Sequence, residues 1–225
     1  MKKAFTFLEV IIVIVIVGIL SMIAVPYLLD DEDGLEEARE QIIRHIRYAQ
    51  HLAVMDDKFV PNDTNWRMRR WQIKFDAAPE VRYAIFSDQG VPDGVAIDAE
   101  CARDPLTRRY LRSDSTDADL NSPDLDLATR YRIASVSMTA PFGSYASFFP
   151  AVPLSALYFD ELGRPMGVTT AVVGYDEQHY LSRCLPSFPI ACPSDNWGKI
   201  TLTHENGKMA SICIEPESGY ASKCD

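Results

Sequence analysis

Glu9 is the one charged residue between Phe5 and Val25, in a stretch of 21 residues dominated by Ile and Val. A carboxylate in hydrocarbon costs roughly 2.5–3.5 kcal/mol on insertion scales, so an acid placed there implies a countercharge. The stretch contains no base; Lys2 and Lys3 lie just before it. A cut after Ala4 would give Phe5 a free positive amine four residues ahead of Glu9. In a stack of staggered helices, that amine can neutralise the carboxylate of a neighbouring copy. The alternative is a Glu9 hydrated near the membrane interface.

Other residues offer chemistry without completing it. Asp117, Asp119 and Asn121 fall at positions 1, 3 and 5 of a calcium-loop spacing, but position 6 is Ser122 and position 12 is Ala128. An EF-hand loop needs Gly and Glu there, so the segment reads first as a solvated acidic loop and no metal is favoured. Cysteines stand at 101, 184, 192, 213 and 224. Cys184, Cys192, Cys213 and Cys224 cluster near the C-terminus without the C-x2-C pairs of a zinc site. In an extracytoplasmic domain they favour disulfides, though spacing does not fix the connectivity. The histidines at 45, 51, 179 and 204 are scattered, and His45 and His51 on the expected amphipathic helix read as ordinary surface residues. Arg67, Arg69 and Arg70 beside Trp66 and Trp71 read as paired surface charges flanking a strand. No G-x-S-x-G, H-E-x-x-H or phosphate loop is present, so no catalytic function is expected.

The elements that must position these residues follow from pattern. As a helix, Phe5 to Val25 is about 30 Å long, the thickness of a bilayer core. Ile and Val favour strands, but a strand in lipid would leave its backbone unpaired, so helix prevails. Lys2 and Lys3 before the segment, and Asp30, Asp31, Glu32 and Asp33 after it, place the N-terminus in the cytoplasm and the rest outside. The apolar run is too long for the core of a signal peptide and lacks a clear cleavage site. Leu35, Ala38, Ile42, Ile46, Ala49 and Ala53 recur at three- and four-residue steps, which predicts an amphipathic helix from Leu35 to Met55. Asp31 or Asp33 is placed to cap it, while Gln50 and the charged residues fill its other faces.

Beyond Asp57, alternating patterns predict strands over 71–75, 81–86, 131–138, 157–160, 169–175, 199–203 and 209–214. Gly163-Arg164-Pro165 and Asn206-Gly207 mark turns, the latter a hairpin signal. The class is α+β: a long N-terminal helix, then an antiparallel sheet. The formal charge of −10 argues against nucleic-acid binding.

The string Lys3-Ala4-Phe5-Thr6-Phe7-Leu8-Glu9, the Val/Ile run with Gly18, and Pro26 together resemble the class III signal of type IV pilins and type II secretion pseudopilins. The resemblance implies that a prepilin peptidase cleaves between Ala4 and Phe5 and N-methylates Phe5. It also implies that Glu9, the fifth mature residue, directs assembly. Ala4 departs from the Gly usual before the cut. Pro26 is expected to break or weaken the helix, or to mark its exit from the membrane. The stretches LYFDELGRPMG and GKITLTHENGKMASICIEPESGY, and more loosely RHIRYAQHLAVMDDKFV, are similar to the minor pseudopilin H group.

On this resemblance residues 1–4 are a leader, 5–29 a transmembrane and filament-core helix, 30–56 its amphipathic extension, and 57–225 an extracytoplasmic β-rich domain. Residues 88–130 form an insertion. The fold implied is pilin-like, a long N-terminal helix packed on an antiparallel sheet. The disulfide pairs implied are Cys184–Cys192 and Cys213–Cys224, with Cys101 left over. Partners implied are the prepilin peptidase, other pilin or pseudopilin subunits, an inner-membrane assembly platform and membrane lipid. The chain would span the inner membrane of a bacterium once, with its domain in the periplasm, and then join a pilus or pseudopilus. The function implied is a structural subunit, in type II secretion or in a pilus for adhesion, motility or DNA uptake. Some pseudopilins bind calcium, for which Asp117, Asp119 and Asn121 are weak candidates here. The reading from another class is a signal-anchored extracytoplasmic enzyme or binding protein.

Overall fold

Six apolar residues at helical spacing need one long buried face, and the chain supplies it. The computed structural model describes residues 7–28, 32–63, 66–76, 79–89, 93–140, 152–153, 156–168, 179–180 and 198–224. It divides into two units, Met1–Asp33 and Gly34–Asp225.

The first unit holds helix α1, Phe7–Leu28, with Glu9 in its first turn. Every described side chain from Phe7 to Leu20 is exposed, including Phe7, Ile12 and Ile14. The helix runs two residues past Pro26, so the proline is not its terminus. Among the described residues no helix is long and apolar enough to cross a membrane. The α1 backbone covers 22 residues, but its side chains are described only as far as Leu20.

In the second unit, helix α2 is Glu32–Met55. Its predicted stripe is its buried one: Ala38, Ile42, Ile46 and Ala49 are fully buried, Leu35 and Ala53 nearly so. The helix starts earlier than predicted, so Asp33 sits inside its first turn rather than capping it, and Asp31 lies outside the described residues.

The single sheet expected is instead two antiparallel five-stranded sheets. The first joins β1 (Gln72–Phe75), β2 (Tyr83–Phe86), β5 (Ala156–Phe159), β6 (Pro165–Val168) and β7 (His179–Tyr180), in the order β2-β1-β5-β6-β7. The second joins β3 (Ile133–Ala140), β4 (Val152–Pro153), β8 (Gly198–His204), β9 (Met209–Ile214) and β10 (Ala221–Lys223), in the order β10-β9-β8-β3-β4. Both sheets and α2 share one core, with Ile73, Ile85 and Phe159 from the first sheet and Ile200, Leu202 and Ile212 from the second. In β8 burial alternates strictly, as a sheet with one covered face requires.

Two expectations hold with local adjustments. The strand predicted over 131–138 begins two residues later, as β3, because Leu127–Tyr131 is a short helix, α3, capped by the Asp126 side chain, which accepts from Thr129 N. Arg132 then turns left-handed at φ 55° and releases the chain into β3. The Asn206-Gly207 hairpin forms between β8 and β9. Gly207 N donates to the His204 carbonyl at 2.9 Å and Gly207 alone takes positive φ, 86°. That is a type I turn followed by a left-handed glycine, rather than a two-residue loop with two left-handed residues. The strand predicted over 169–175 lies outside the described residues.

The 88–130 segment covers an exposed strand edge. Ile85 N donates to Leu111 O at 3.0 Å, Ala102 N to Ile85 O at 2.8 Å and Ala128 N to Val81 O at 3.0 Å. Leu111, Leu125 and Leu127 join the core. The otherwise open edge of β2 is thereby paired, which removes a template for aggregation.

Candidate functional site

Two places in the chain concentrate its unusual chemistry, the start of α1 and the polar face of α2. At the first, Glu9 is exposed in the opening turn of α1. Ala4 and Phe5 lie outside the described residues. Gly18 has nothing within 4 Å of where a side chain would begin, so that face of α1 is open for a close neighbour.

On α2, the polar residues assigned to solvent by pattern prove to be its anchors. Gln50 donates to Gly163 O at 2.8 Å and to Ser218 O at 2.6 Å. It thus ties the β5–β6 turn and the β9–β10 turn to one point on the helix. Gly219 has φ 70°, and a Cβ there would meet Gly163 O at 2.7 Å. Only glycine fits such a place.

The β5–β6 turn explains the Phe159-Asp160-Glu161-Leu162-Gly163-Arg164 string. Asp160 is fully buried, and its Oδ1 accepts from Leu162 N at 3.0 Å and Arg164 N at 2.8 Å. Arg164 Nε donates to Asp160 Oδ2 at 2.8 Å, while Gly163 supplies φ 77°. The string is a self-satisfied turn whose glycine faces α2.

Further along α2, Arg47 donates to Ala221 O at 2.8 Å, and Lys223 pairs with Glu36 and with Glu40. These contacts hold β10 on the helix. Lys223 lowers the pKa of the Glu36 carboxyl chiefly by hydrogen bonding, with Arg39 adding to it. The Cys213–Cys224 disulfide closes the same corner, with a Cα–Cα distance of 5.1 Å. Cys184 and Cys192 lie outside the described residues. Cys101 is a buried free thiol, pushed up to about 12 by burial.

His45 is not an ordinary surface histidine. Its Nδ1 is 2.7 Å from the Tyr83 hydroxyl, and burial pushes its pKa down to about 4. Of the others, His51 is exposed, while His204 is 4% exposed and accepts from Asn206 N at 3.1 Å. Arg70, read from sequence as a surface charge, is buried. It lies 4.6 Å from the Trp66 ring centre and pairs with Glu161 at 3.2 Å.

Asp117, Asp119 and Asn121 serve their own turn. Asp117 accepts from Asp119 N at 3.0 Å, and Asn121 from Ser115 N at 3.4 Å. Among the described residues no group of three or more metal-ligating side chains converges. A cavity of about 220 Å³ beside β1 and β2 is lined by Lys74, Arg82, Arg112, Asp76 and Asp114. Its charges are paired within the chain: Arg82 with Asp76 at 2.9 Å, Arg112 with Asp114 at 2.8 Å. This arrangement clamps loops together rather than presenting a nucleophile.

No family model, curated protein or solved structure matches the chain.

Proposed function

We propose that this chain is a structural subunit of a type IV pilus-like filament, processed by a prepilin peptidase and assembled from the inner membrane of a bacterium, in the service of protein secretion. The observation that carries the reading is Glu9. It is the sole charge of α1, five residues into a chain beginning at Phe5, and it lies behind a leader that bears Lys2 and Lys3.

On this reading, cleavage after Ala4 creates an amine that can pair with the Glu9 of a neighbouring copy. Opposite charges about 4 Å apart attract by about 4 kcal/mol at an effective dielectric of 20. That is enough to offset the roughly 2.5–3.5 kcal/mol cost of a carboxylate at the centre of a membrane helix. The pairing of one subunit's Phe5 amine with the next subunit's Glu9 then sets the stagger of the filament. Dispersion between apolar helices holds its core, and Gly18 permits close approach.

The separate globular unit supports the reading. It begins with an amphipathic helix, carries the Asp160 turn and the Gly219 turn, and closes with Cys213–Cys224. Cleavage removes Lys2 and Lys3, leaving 20 bases against 32 acids, a mature formal charge of −12. The reading assigns no catalytic residue, cofactor or nucleic-acid partner.

Intact mass of the purified protein tests it. The expected species begins at N-methyl-Phe5; an intact Met1 supports a signal anchor on a domain of different purpose. Glu9→Val should still insert into the membrane and fail to enter filaments. Normal assembly of that variant defeats the charge-pairing mechanism.

A further inference from the structure

Four segments of the globular unit meet at one hydrogen-bond chain, buried at Gln41, Tyr83 and Tyr131 and half-buried at His45. Tyr131 of α3 donates to Gln41 Oε1 at 2.6 Å. Gln41 Nε2 donates to the Tyr83 hydroxyl of β2 at 3.0 Å and to the Asp124 carbonyl at 2.9 Å. The Tyr83 hydroxyl lies 2.7 Å from His45 Nδ1. Gln41 is 8% exposed, Tyr83 2% and Tyr131 4%.

The direction of this chain is the one that satisfies every proton in it. An amide nitrogen only donates, so Gln41 occupies one lone pair of the Tyr83 oxygen and Tyr83 keeps its own proton to give. The acceptor within reach is His45 Nδ1, so the arrangement that satisfies the hydroxyl leaves Nδ1 unprotonated. We infer that Gln41, Tyr83, Tyr131 and His45 form a proton-operated latch, which holds the 103–131 segment and β2 against α2 while His45 is neutral and releases them in acid.

The release follows from what a proton on Nδ1 does. The ring nitrogen becomes a donor, so it competes for the Tyr83 oxygen instead of receiving its hydrogen. The Tyr83 proton is then left without an acceptor in a site almost closed to water, and a buried unsatisfied donor is strongly unfavourable. Three charged groups act on His45. Arg44 on α2 opposes protonation, whereas Asp104 and Asp124, on the segment being held, favour it; burial outweighs them and keeps the ring neutral. Once His45 is charged, those two acids offset part of the loss, so the release is graded over the pH range rather than abrupt.

The sign is that of a depressed base. The folded-state pKa of about 4 lies below the ordinary 6.5, so the closed latch is fully favoured above about 6.5 and loses ground as the pH falls toward 4. The latch belongs to the globular unit alone. Under the reading proposed above, that unit meets the pH of its surroundings directly.

Hydrogen exchange of the full chain in detergent micelles, corrected for intrinsic rates, tests the latch. Protection in peptides covering 38–48 and 103–131 should fall about 30-fold between pH 8 and pH 5. His45→Gln, which keeps an acceptor but cannot titrate, should change by less than about threefold over that range. A fall in His45→Gln equal to that of the native chain overturns the proposal. Histidine NMR needs no variant: a His45 signal titrating below pH 5 supports the latch, and one titrating near 6.5 overturns it. Because neither readout depends on leader cleavage or filament entry, failure of the latch is distinct from failure of the pilin reading.

Discussion

Helices α1 and α2 are of similar length and consecutive in the chain, yet they solve opposite problems. In α2 one stripe is apolar and the chain itself covers it: Ala38, Ile42, Ile46 and Ala49 are fully buried. In α1 the apolar residues point in every direction, and those described are 41–83% exposed. A helix that is hydrophobic all round is suited to a membrane or to the core of a larger assembly. Covering twelve large apolar side chains of that kind is worth on the order of 10–20 kcal/mol. Under the proposed function, that free energy would be realised in lipid or against sister helices.

The largest contrast comes from a matched pair of truncations. Ile46→Ala should destabilise the globular unit by about 3 kcal/mol, because it deletes buried methylenes and leaves a cavity. Ile14→Ala, the same change on α1, should leave the denaturant midpoint of that unit within about 0.5 kcal/mol of the native chain. Equal losses from the two would erase the distinction between the helices.

The difference was visible in the residues because it is written in period. Leu35 to Ala53 repeats at 3.6 and identifies its own buried face; Phe5 to Val25 shows no period. Turn chemistry was legible for the same local reason, at Gly163 and at Gly207. Sheet membership was not, since β1 pairs with β5 more than 80 residues away and no alternation records a partner. The polar anchors were also hidden. Gln41 and Gln50 on a helix look like solvent-facing residues until the carbonyls of Asp124, Gly163 and Ser218 arrive beside them. His45 was misjudged likewise, because its environment is built by Tyr83 and the 103–131 segment.

The next effect concerns how α2 keeps its cover. Cys213→Ser should cost about 3 kcal/mol under oxidising conditions, from the loop entropy of an 11-residue separation. Under reducing conditions the native and variant proteins should melt together. A gap that persists in reductant would mean that the sulfur packs rather than tethers. Gly219→Ala should cost about 2 kcal/mol, from φ 70° and the Cβ pressed on Gly163 O. Gln50→Leu in that background should cost less than it does alone, since the turn has already moved; strict additivity of the two would show that the clamp does not join them.

The smallest effect probes a place α2 does not reach. Where α2 satisfies its glutamines, β1 does so less completely: Gln72 Oε1 and Asp88 Oδ1 are buried with no hydrogen-bond partner among the described residues. Gln72 Nε2 donates to Asp88 Oδ2 at 3.1 Å. Burial, reinforced by Glu100 and Asp93, pushes the Asp88 carboxyl up to about 6. A raised acid inverts the usual carboxylate rule. Its contribution to stability is complete below about 4 and is lost as the pH rises through about 6, opposite in direction to His45. Asp88→Asn removes the charge and adds an N–H that can donate to Gln72 Oε1. The variant should gain on the order of 1 kcal/mol at pH 8 and nothing at pH 4, as read from denaturant midpoints. A loss at pH 8 would show that the fold uses the Asp88 charge, and that β1 is as well partnered as α2.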